Sequence, residues 1–159
     1  DPLNAVDLTN RYLINHHYGN NGRYMYATLF MGVLDPVNCT ITYVNAGHNQ
    51  PAVVNATGGA RQWIDPTGPA VGIIPDAQFT RNEILLAPGE MLFTYTDGVT
   101  EARNLEGELF SKKRLSYILD SKFSDVSEAV KTVEHSVQVH SCGKPPTDDI
   151  TMLAVRRKS

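Results

Sequence analysis

Residues 91–102 read MLFTYTDGVTEA, a stretch that joins a strand of buried character to an acidic turn signal. Residues 91–96 are apolar, aromatic or threonine, which are types that favour a β-strand. Asp97-Gly98 follows at once. This dipeptide is frequent in turns, but a carboxylate at the end of a strand can also bind a metal ion. Whether it is a turn or part of a metal site decides the function that the sequence predicts.

The composition is that of one globular domain. The 159 residues are 42% hydrophobic and 19% charged, with a net charge of -3. The acidic balance argues against nucleic acid as a partner, and no apolar run approaches the roughly 20 residues of a membrane span. No signal-peptide pattern is present, and Cys39 and Cys142 lack metal-ligand spacing. We therefore expect reduced thiols in a cytoplasmic protein.

Hydrophobic periodicity predicts an α+β domain with a largely antiparallel sheet. Helical patterns cover residues 3–17, 109–119 and 125–140. Strand patterns cover residues 24–34, 40–44, 51–55, 60–64, 79–86, 91–96 and 150–155. Turn signals between successive strands predict three hairpins: 24–34 with 40–44, 51–55 with 60–64, and 79–86 with 91–96. Asp1-Pro2 suits a helix start, and Asp125-x-x-Glu128 resembles a capping box.

Two acidic features lie at strand ends. Asp97 follows strand 91–96, and Asp148-Asp149 precedes strand 150–155. If these strands are antiparallel neighbours, the carboxylates converge and repel unless a cation such as Mg²⁺ or Mn²⁺ lies between them. Gly98 would then let the chain turn sharply past the ion. A plain turn and a solvated loop explain the same spacing, so both alternatives stay open on this evidence.

Six segments, in order, resemble the bacterial PPM/PP2C-type serine/threonine phosphatases of the SpoIIE/RsbU group. They are ATLFMGVLD (27–35), ITYVNAGHNQP (41–51), GPAVG (68–72), LAPGE (86–90), YTDGVTEA (95–102) and TDDIT (147–151). The resemblance spans almost the whole chain. It implies a PP2C-like layered β-sandwich of antiparallel sheets flanked by helices. It also implies metal-dependent hydrolysis of phosphoserine or phosphothreonine.

The resemblance also implies site residues. In the family, the Asp of the Thr-Asp-Gly segment and the first Asp of the Asp-Asp-Ile-Thr segment bind metal, which here are Asp97 and Asp148. The family site holds two Mn²⁺ or Mg²⁺ ions. The residues expected to surround these ligands are Gly98, Asp149, Asn45, His48, Thr100 and Glu101. For His48 the alternative is a hydrogen-bonded loop residue, with Gly47 in a special backbone conformation.

The family's early Asp-Val-Ser-Gly-His-Gly-type segment, whose Asp bridges both metals, has no counterpart here. We therefore expect residues 1–159 to be one phosphatase domain that lacks its N-terminal strands and first helix. Such a fragment would be weakly active or inactive. The resemblance implies a phosphorylated, anti-anti-sigma-like regulatory partner and an upstream sensor or receiver domain. Open sheet edges make a homodimer an option. The alternative function is a catalytically silent module that binds the same partner.

Overall fold

The computed structural model describes residues 1–17, 25–145 and 148–158, which form four helices and seven strands. In chain order these are α1 (Pro2–His17), β1 (Leu29–Asp35), β2 (Thr40–Ala46), β3 (Ala52–Val54), β4 (Ala60–Trp63), β5 (Asn82–Leu85), β6 (Met91–Tyr95), α2 (Asp97–Thr100), α3 (Ser111–Leu119), α4 (Val126–His140) and β7 (Met152–Arg156). This order confirms the α+β class. No helix in the described ranges is long and apolar enough to cross a membrane.

The chain divides into two compact units, and the first contains Asp1–Gln50 and Asp65–Leu85. Its antiparallel sheet has the order β1-β2-β5, and α1 packs on β1 and β2. The Asp1 carboxylate accepts a hydrogen bond from Leu3 N at 3.0 Å, which confirms the predicted helix start. One apolar cluster in the core of this unit contains Val6, Val44, Ala46, Val71 and Phe79.

Strand β1 is more exposed than its sequence predicts. The aromatic and apolar residues of 24–34 predict a well-buried strand, yet Val33 and Leu34 are 49% and 46% exposed. The reason is topological, because β1 lies at one edge of its sheet. Only its first half, through Leu29 and Met31, packs on the core beneath α1. Tyr24, the first residue of the predicted strand, lies outside the described residues.

The second unit contains Pro51–Ile64 and Leu86–Ser159. Its antiparallel sheet has the order β4-β3-β6-β7, with α4 packed on β7 and α3 packed on α4. The core joins sheet and helix side chains, among them Val54, Phe93, Tyr95, Val99, Phe110, Leu115, Leu119, Ala129, Val133 and Val137. The predicted one-domain organisation stays a prediction.

The predicted capping box at α4 forms in part. The Asp125 carboxylate accepts from Glu128 N at 2.9 Å, as predicted. The Glu128 carboxylate, however, accepts from Ser124 N at 2.6 Å, one residue earlier than a standard box requires. Both bonds fix the chain at the start of the helix.

Two of the three predicted hairpins are confirmed, since β1 pairs with β2 and β3 pairs with β4. The third is wrong. Strand β5 pairs with β2, whereas β6 pairs with β3 and β7. Residues 86–90 therefore lead from one sheet to the other. Glu90 anchors this passage, because its buried carboxylate accepts hydrogen bonds from Arg61 and from Ala87 N.

Candidate metal centre

The pairing of β6 with β7 brings the two acidic segments together. The strands are antiparallel and in continuous register. Beyond the ladder, Thr96 N donates to the Thr151 carbonyl oxygen at 3.0 Å. The end of β6 therefore lies beside the start of β7, as the sequence predicted. Asp97 comes directly after Thr96, and Asp148 lies shortly before Thr151, so their chain segments meet at one edge of the sheet.

The hydroxyl of Thr96 joins these segments, and sequence reasoning missed this role. It donates to the Asp149 carbonyl oxygen at 2.8 Å and accepts from Thr151 N at 2.9 Å. A threonine before a helix start usually caps that helix, but here the side chain makes no capping bond. It satisfies the neighbouring segment instead, which fixes the path of residues 149–151. The only sequence signal was its position between a strand and an acid.

Gly98 permits the closest approach between the segments. It is buried, and a Cβ at this position would lie 2.6 Å from the Asp149 carbonyl oxygen and 3.2 Å from that of Asp148. The sequence suggested that glycine serves here to turn the chain sharply. That reason is wrong, because Gly98 lies in α2 and its φ angle is not in the left-handed region. Glycine is required at this position because it has no side chain, and not because of its backbone freedom.

The segment after β6 is a single helical turn, α2, rather than the predicted Asp-Gly turn. Glu101 N and the Thr100 hydroxyl both donate to the Asp97 carbonyl oxygen, at 2.8 and 3.3 Å. Val99 is fully buried and anchors the turn in the core. Thr100 and Glu101 thus hold the backbone of Asp97, while the exposed Asp97 carboxylate accepts no hydrogen bond from any described residue.

The acidic side chains at this edge differ in the hydrogen bonds that they make. Asp97, Asp148 and Asp149 are all exposed. One carboxylate oxygen of Asp148 accepts from Asp149 N at 2.7 Å, which orients that side chain. Asp149 contributes its carbonyl oxygen to Thr96, and its carboxylate has no partner within the described ranges. Asp149 therefore contacts Thr96 through its backbone, and its expected role beside the metal stays a prediction.

The donor chemistry of this edge fits a hard divalent cation. Asp97 and Asp148 supply carboxylate oxygens from two segments that are held in contact, and Mg²⁺ is commonly held by one or two carboxylates with water completing its shell. Two carboxylates alone do not form a complete set of protein ligands around an ion. Within residues 1–17, 25–145 and 148–158, no group of three or more His, Cys, Asp or Glu side chains is placed to hold a metal. The arrangement therefore fits part of a metal site.

Asn45 and His48 belong to the first unit. Asn45 is fully buried, its Oδ1 accepts from His48 N at 2.8 Å, and its N–H donates to Thr67 Oγ1 at 3.0 Å. His48 Nδ1 lies 3.2 Å from Thr28 Oγ1. Gly47 has a φ of +68°, the special conformation that the sequence predicted. These contacts fit the loop-shaping interpretation, and a role at the site rim stays a prediction.

The sequence matches the family described as Stage II sporulation protein E (SpoIIE) over residues 1–158. Protein IcfG of Synechocystis sp. is 42% identical over 155 residues, which is 98% of this chain and 24% of that protein. Phosphoserine phosphatase RsbU of Bacillus subtilis is 26% identical over 140 residues, which is 84% of this chain and 40% of RsbU. The chain thus spans well under half the length of either relative.

Solved structures share the fold. The SiaA-PP2C domain of Pseudomonas aeruginosa superposes with a TM-score of 0.81 at 20% identity, covering 98% of this chain and 61% of that one. A Mycobacterium tuberculosis protein with RsbU and RsbW domains gives a TM-score of 0.71 at 23% identity, covering 99% and 42%. These matches confirm the predicted PP2C-like fold class.

Proposed function

The chain belongs to the SpoIIE family of PP2C-like serine phosphatase domains, and from this premise we propose that it forms part of a metal-dependent protein serine/threonine phosphatase. The observation that carries the proposal is the contact between Gly98 and the backbone of residues 148–149. That contact brings two carboxylate-bearing segments, which come from distant parts of the sequence, to one edge of a sheet. Neither a plain turn nor a solvated loop requires such an approach.

Asp97 and Asp148 would hold a Mn²⁺ or Mg²⁺ ion through their carboxylate oxygens. When bound, such an ion lowers the pKa of a water ligand and offsets charge that develops on a phosphoryl group. The chain's own contribution is positional. Thr100 and Glu101 fix the backbone of Asp97, and Thr96 fixes the chain that follows Asp148. The exposure of both carboxylates leaves room for a substrate phosphate.

The proposed substrate is a phosphoserine or phosphothreonine on a bacterial regulatory protein of the anti-anti-sigma-like kind. Two similarities support this class. One relative is named a phosphoserine phosphatase, and one structural neighbour carries RsbU and RsbW domains in a single chain. Because this chain covers a minor part of its relatives, we propose that the whole protein supplies the remaining ligands and a sensor or receiver domain.

The test is Mn²⁺-dependent hydrolysis of p-nitrophenyl phosphate by the full-length protein. Asp97→Asn should lower the activity by about 100-fold or more, since loss of a metal ligand costs at least as much as loss of its supporting groups. The matched control is Asp76→Asn, which removes the same charge from another exposed position. Activity that is unchanged by Asp97→Asn would refute the ligand assignment. Partner binding without any hydrolysis by the parent protein would favour the silent binding module.

A further inference from the structure

A groove of about 590 Å³ runs between α3 and α4 in the second unit. Phe110 and Ile118 are apolar residues in its lining, and Tyr117 and Val139 add apolar surface from the two helices. The remaining lining residues are polar or cationic: Ser111, Lys113, Arg114, Ser136 and His140. None of these residues belongs to the candidate metal centre, so an inference drawn from the groove goes beyond the proposed phosphatase function.

Part of the groove's lining is held in place by contacts within the unit. Phe110 is 2% exposed, and the His140 ring meets it edge-on with centroids 5.5 Å apart. His140 Nε2 also lies 3.0 Å from the Glu108 carbonyl oxygen, which orients the ring further. Above this base, Tyr117 and Val139 are 79% and 62% exposed. Single exposed apolar residues are ordinary, but here one from each helix faces the same preformed groove.

The charge of the groove is opposite to that of the chain. Helix α3 begins at Ser111, carries Lys112, Lys113 and Arg114 in its first turn and has no acidic residue there. Cations at a helix N-terminus oppose the helix dipole and each costs about 0.3–1 kcal/mol. Residues that break a local rule of helix stability in this way are candidates for a function. Three adjacent cations are also notable in a chain whose net charge is -3.

The three cations differ in the contacts that their side chains make. Lys112 lies over the Trp63 ring at 4.2 Å from its centroid. Arg114 Nη1 donates a long hydrogen bond to the Leu109 carbonyl oxygen at 3.4 Å, and Nη2 reaches the exposed Glu108 carboxylate at 3.7 Å, a surface pair of little strength. Lys113 has neither an ion pair nor a hydrogen bond to any residue in the described ranges. The groove lining contains no Asp or Glu. Two cations are therefore available to an acidic ligand.

We propose that this groove docks an amphipathic helix of a partner protein, with acidic residues flanking its apolar stripe. A groove between two packed helices accepts a third helix through anchors spaced at i, i+3/i+4 and i+7. Tyr117 and Val139 contact those anchors, and Lys113 and Arg114 pair with the flanking carboxylates. The charge complementarity selects an acidic partner and speeds its association at low salt.

The experiment is fluorescence anisotropy of the chain with a labelled helical peptide of about 16 residues, carrying leucines at the anchor spacing and glutamates elsewhere. Lys113→Glu combined with Arg114→Glu should weaken binding about tenfold or more, and Tyr117→Ala about fivefold. Lys131→Glu is the matched control, because Lys131 is an exposed cation of α4 outside the groove lining. The emission of the single tryptophan, Trp63, reports that each variant keeps the fold around α3.

A peptide with lysines in place of the glutamates should bind the charge-reversed variant better than it binds the parent chain. Equal affinity of the parent chain for both peptides would overturn the proposal, as would a loss in Lys131→Glu as large as that in the double variant. A dimer that dissociates in Tyr117→Ala would assign the groove to a second copy of the chain. Binding to phosphatidylserine vesicles that the double variant loses, with no peptide binding, would assign it to a membrane surface.

Discussion

The backbone of Gly98 lies against Asp149, so close that a methyl group on Gly98 would stand 2.6 Å from the Asp149 carbonyl oxygen. The contact joins a helical turn to a loop that lies far along the chain. Since the atom in the way belongs to the backbone, no side-chain rotation relieves the overlap. The proximity of the two acidic segments therefore depends on this residue having no side chain.

Gly98→Ala should lower the free energy of unfolding by about 1–3 kcal/mol, the usual cost of overpacking. Alanine favours a helix over glycine by about 1 kcal/mol, but that gain does not offset an overlap with a fixed backbone. Urea unfolding followed by circular dichroism measures the change. Gly32→Ala is the control. A Cβ at Gly32 would have as its nearest neighbour Ile41 Cγ2 at 3.1 Å, which belongs to a movable side chain. We expect the unfolding free energy to change by about 0.5 kcal/mol or less. Equal stability of Gly98→Ala and the parent chain would contradict the contact.

Thr96→Val should separate the position of residues 149–151 from the stability of the sheet. The substitution keeps the side-chain volume but removes the hydroxyl that bonds Asp149 and Thr151. Because water can reach this junction, we expect a loss of only about 0.5–1.5 kcal/mol in unfolding free energy. The affinity for Mn²⁺ should fall as well, since Asp148 precedes the released segment. Thr96→Ser retains the hydroxyl and should keep both values. A Val variant that binds Mn²⁺ like the Ser variant would remove Thr96 from the site.

The approach of the segments that contain Asp97 and Asp148 could be predicted because it depends on two local patterns and one antiparallel pairing. What the sequence could not reveal was the means of holding them. Thr96 resembles an ordinary helix cap, and its bonds across the strands depend on which segment lies opposite. Gly98 resembles a turn residue, and its actual role is set by a distant backbone.

Errors in the fold prediction have the same origin. Residues 79–86 and 91–96 carry a good hairpin signal, but the strands formed within them pair with β2 and with β3 and β7 respectively. Turn chemistry shows where the chain changes direction, and it does not specify the sheet that the next strand joins. The exposure of Val33 likewise follows from the edge position of β1, which is a property of the sheet and not of the strand.

Asp97→Asn should separate metal binding from folding. The Asp97 carboxylate is exposed and has no hydrogen bond to the described residues. Its loss should therefore change the unfolding free energy of the metal-free chain by about 0.5 kcal/mol or less. In the parent chain, Mn²⁺ at ten times its dissociation constant should add ~1.4 kcal/mol, and the variant should lose this gain. Two carboxylates hold such ions weakly, so calorimetry should give a dissociation constant above the micromolar range.

Glu101→Gln is the control for this measurement, because Glu101 is an equally exposed acid whose backbone N–H, rather than its carboxylate, contacts Asp97. It should retain the stabilisation by Mn²⁺. If both variants keep the gain, the ion binds elsewhere. If Asp97→Asn strongly destabilises the metal-free chain, the Asp97 carboxylate contributes to folding. That result would contradict its exposed position without a hydrogen bond to the described residues.

Glu90 gives the chain a predictable dependence on acid. Burial by itself raises the pKa of Glu90, but hydrogen bonds from Arg61 and from Ala87 N, together with the Arg61 charge, outweigh it and leave the pKa below its ordinary value of 4.5. Arg61 Nε and Nη2 reach the two carboxylate oxygens at 2.8 and 3.0 Å. This bidentate pair ties β4 to the passage that leads into β6, and it is sheltered because Glu90 is 5% exposed.

Glu90→Gln should lower the free energy of unfolding by about 1–3 kcal/mol at pH 7, because it removes a buried charge-assisted pair while Arg61 can still reach water. A depressed pKa means that the unfolded chain binds the proton more readily. The contribution of Glu90 is therefore fully present above about pH 5 and is lost as the pH falls through the folded-state pKa. Urea unfolding at several pH values should show the difference between parent and variant shrinking as the pH falls below the ordinary pKa of 4.5. Glu106→Gln removes an exposed acid and is the control. Its difference from the parent chain should not shrink in this way. A difference in unfolding free energy between parent and Glu90→Gln that stays constant as the chain is acidified would mean that the Arg61 pair does not stabilise the ionised carboxylate.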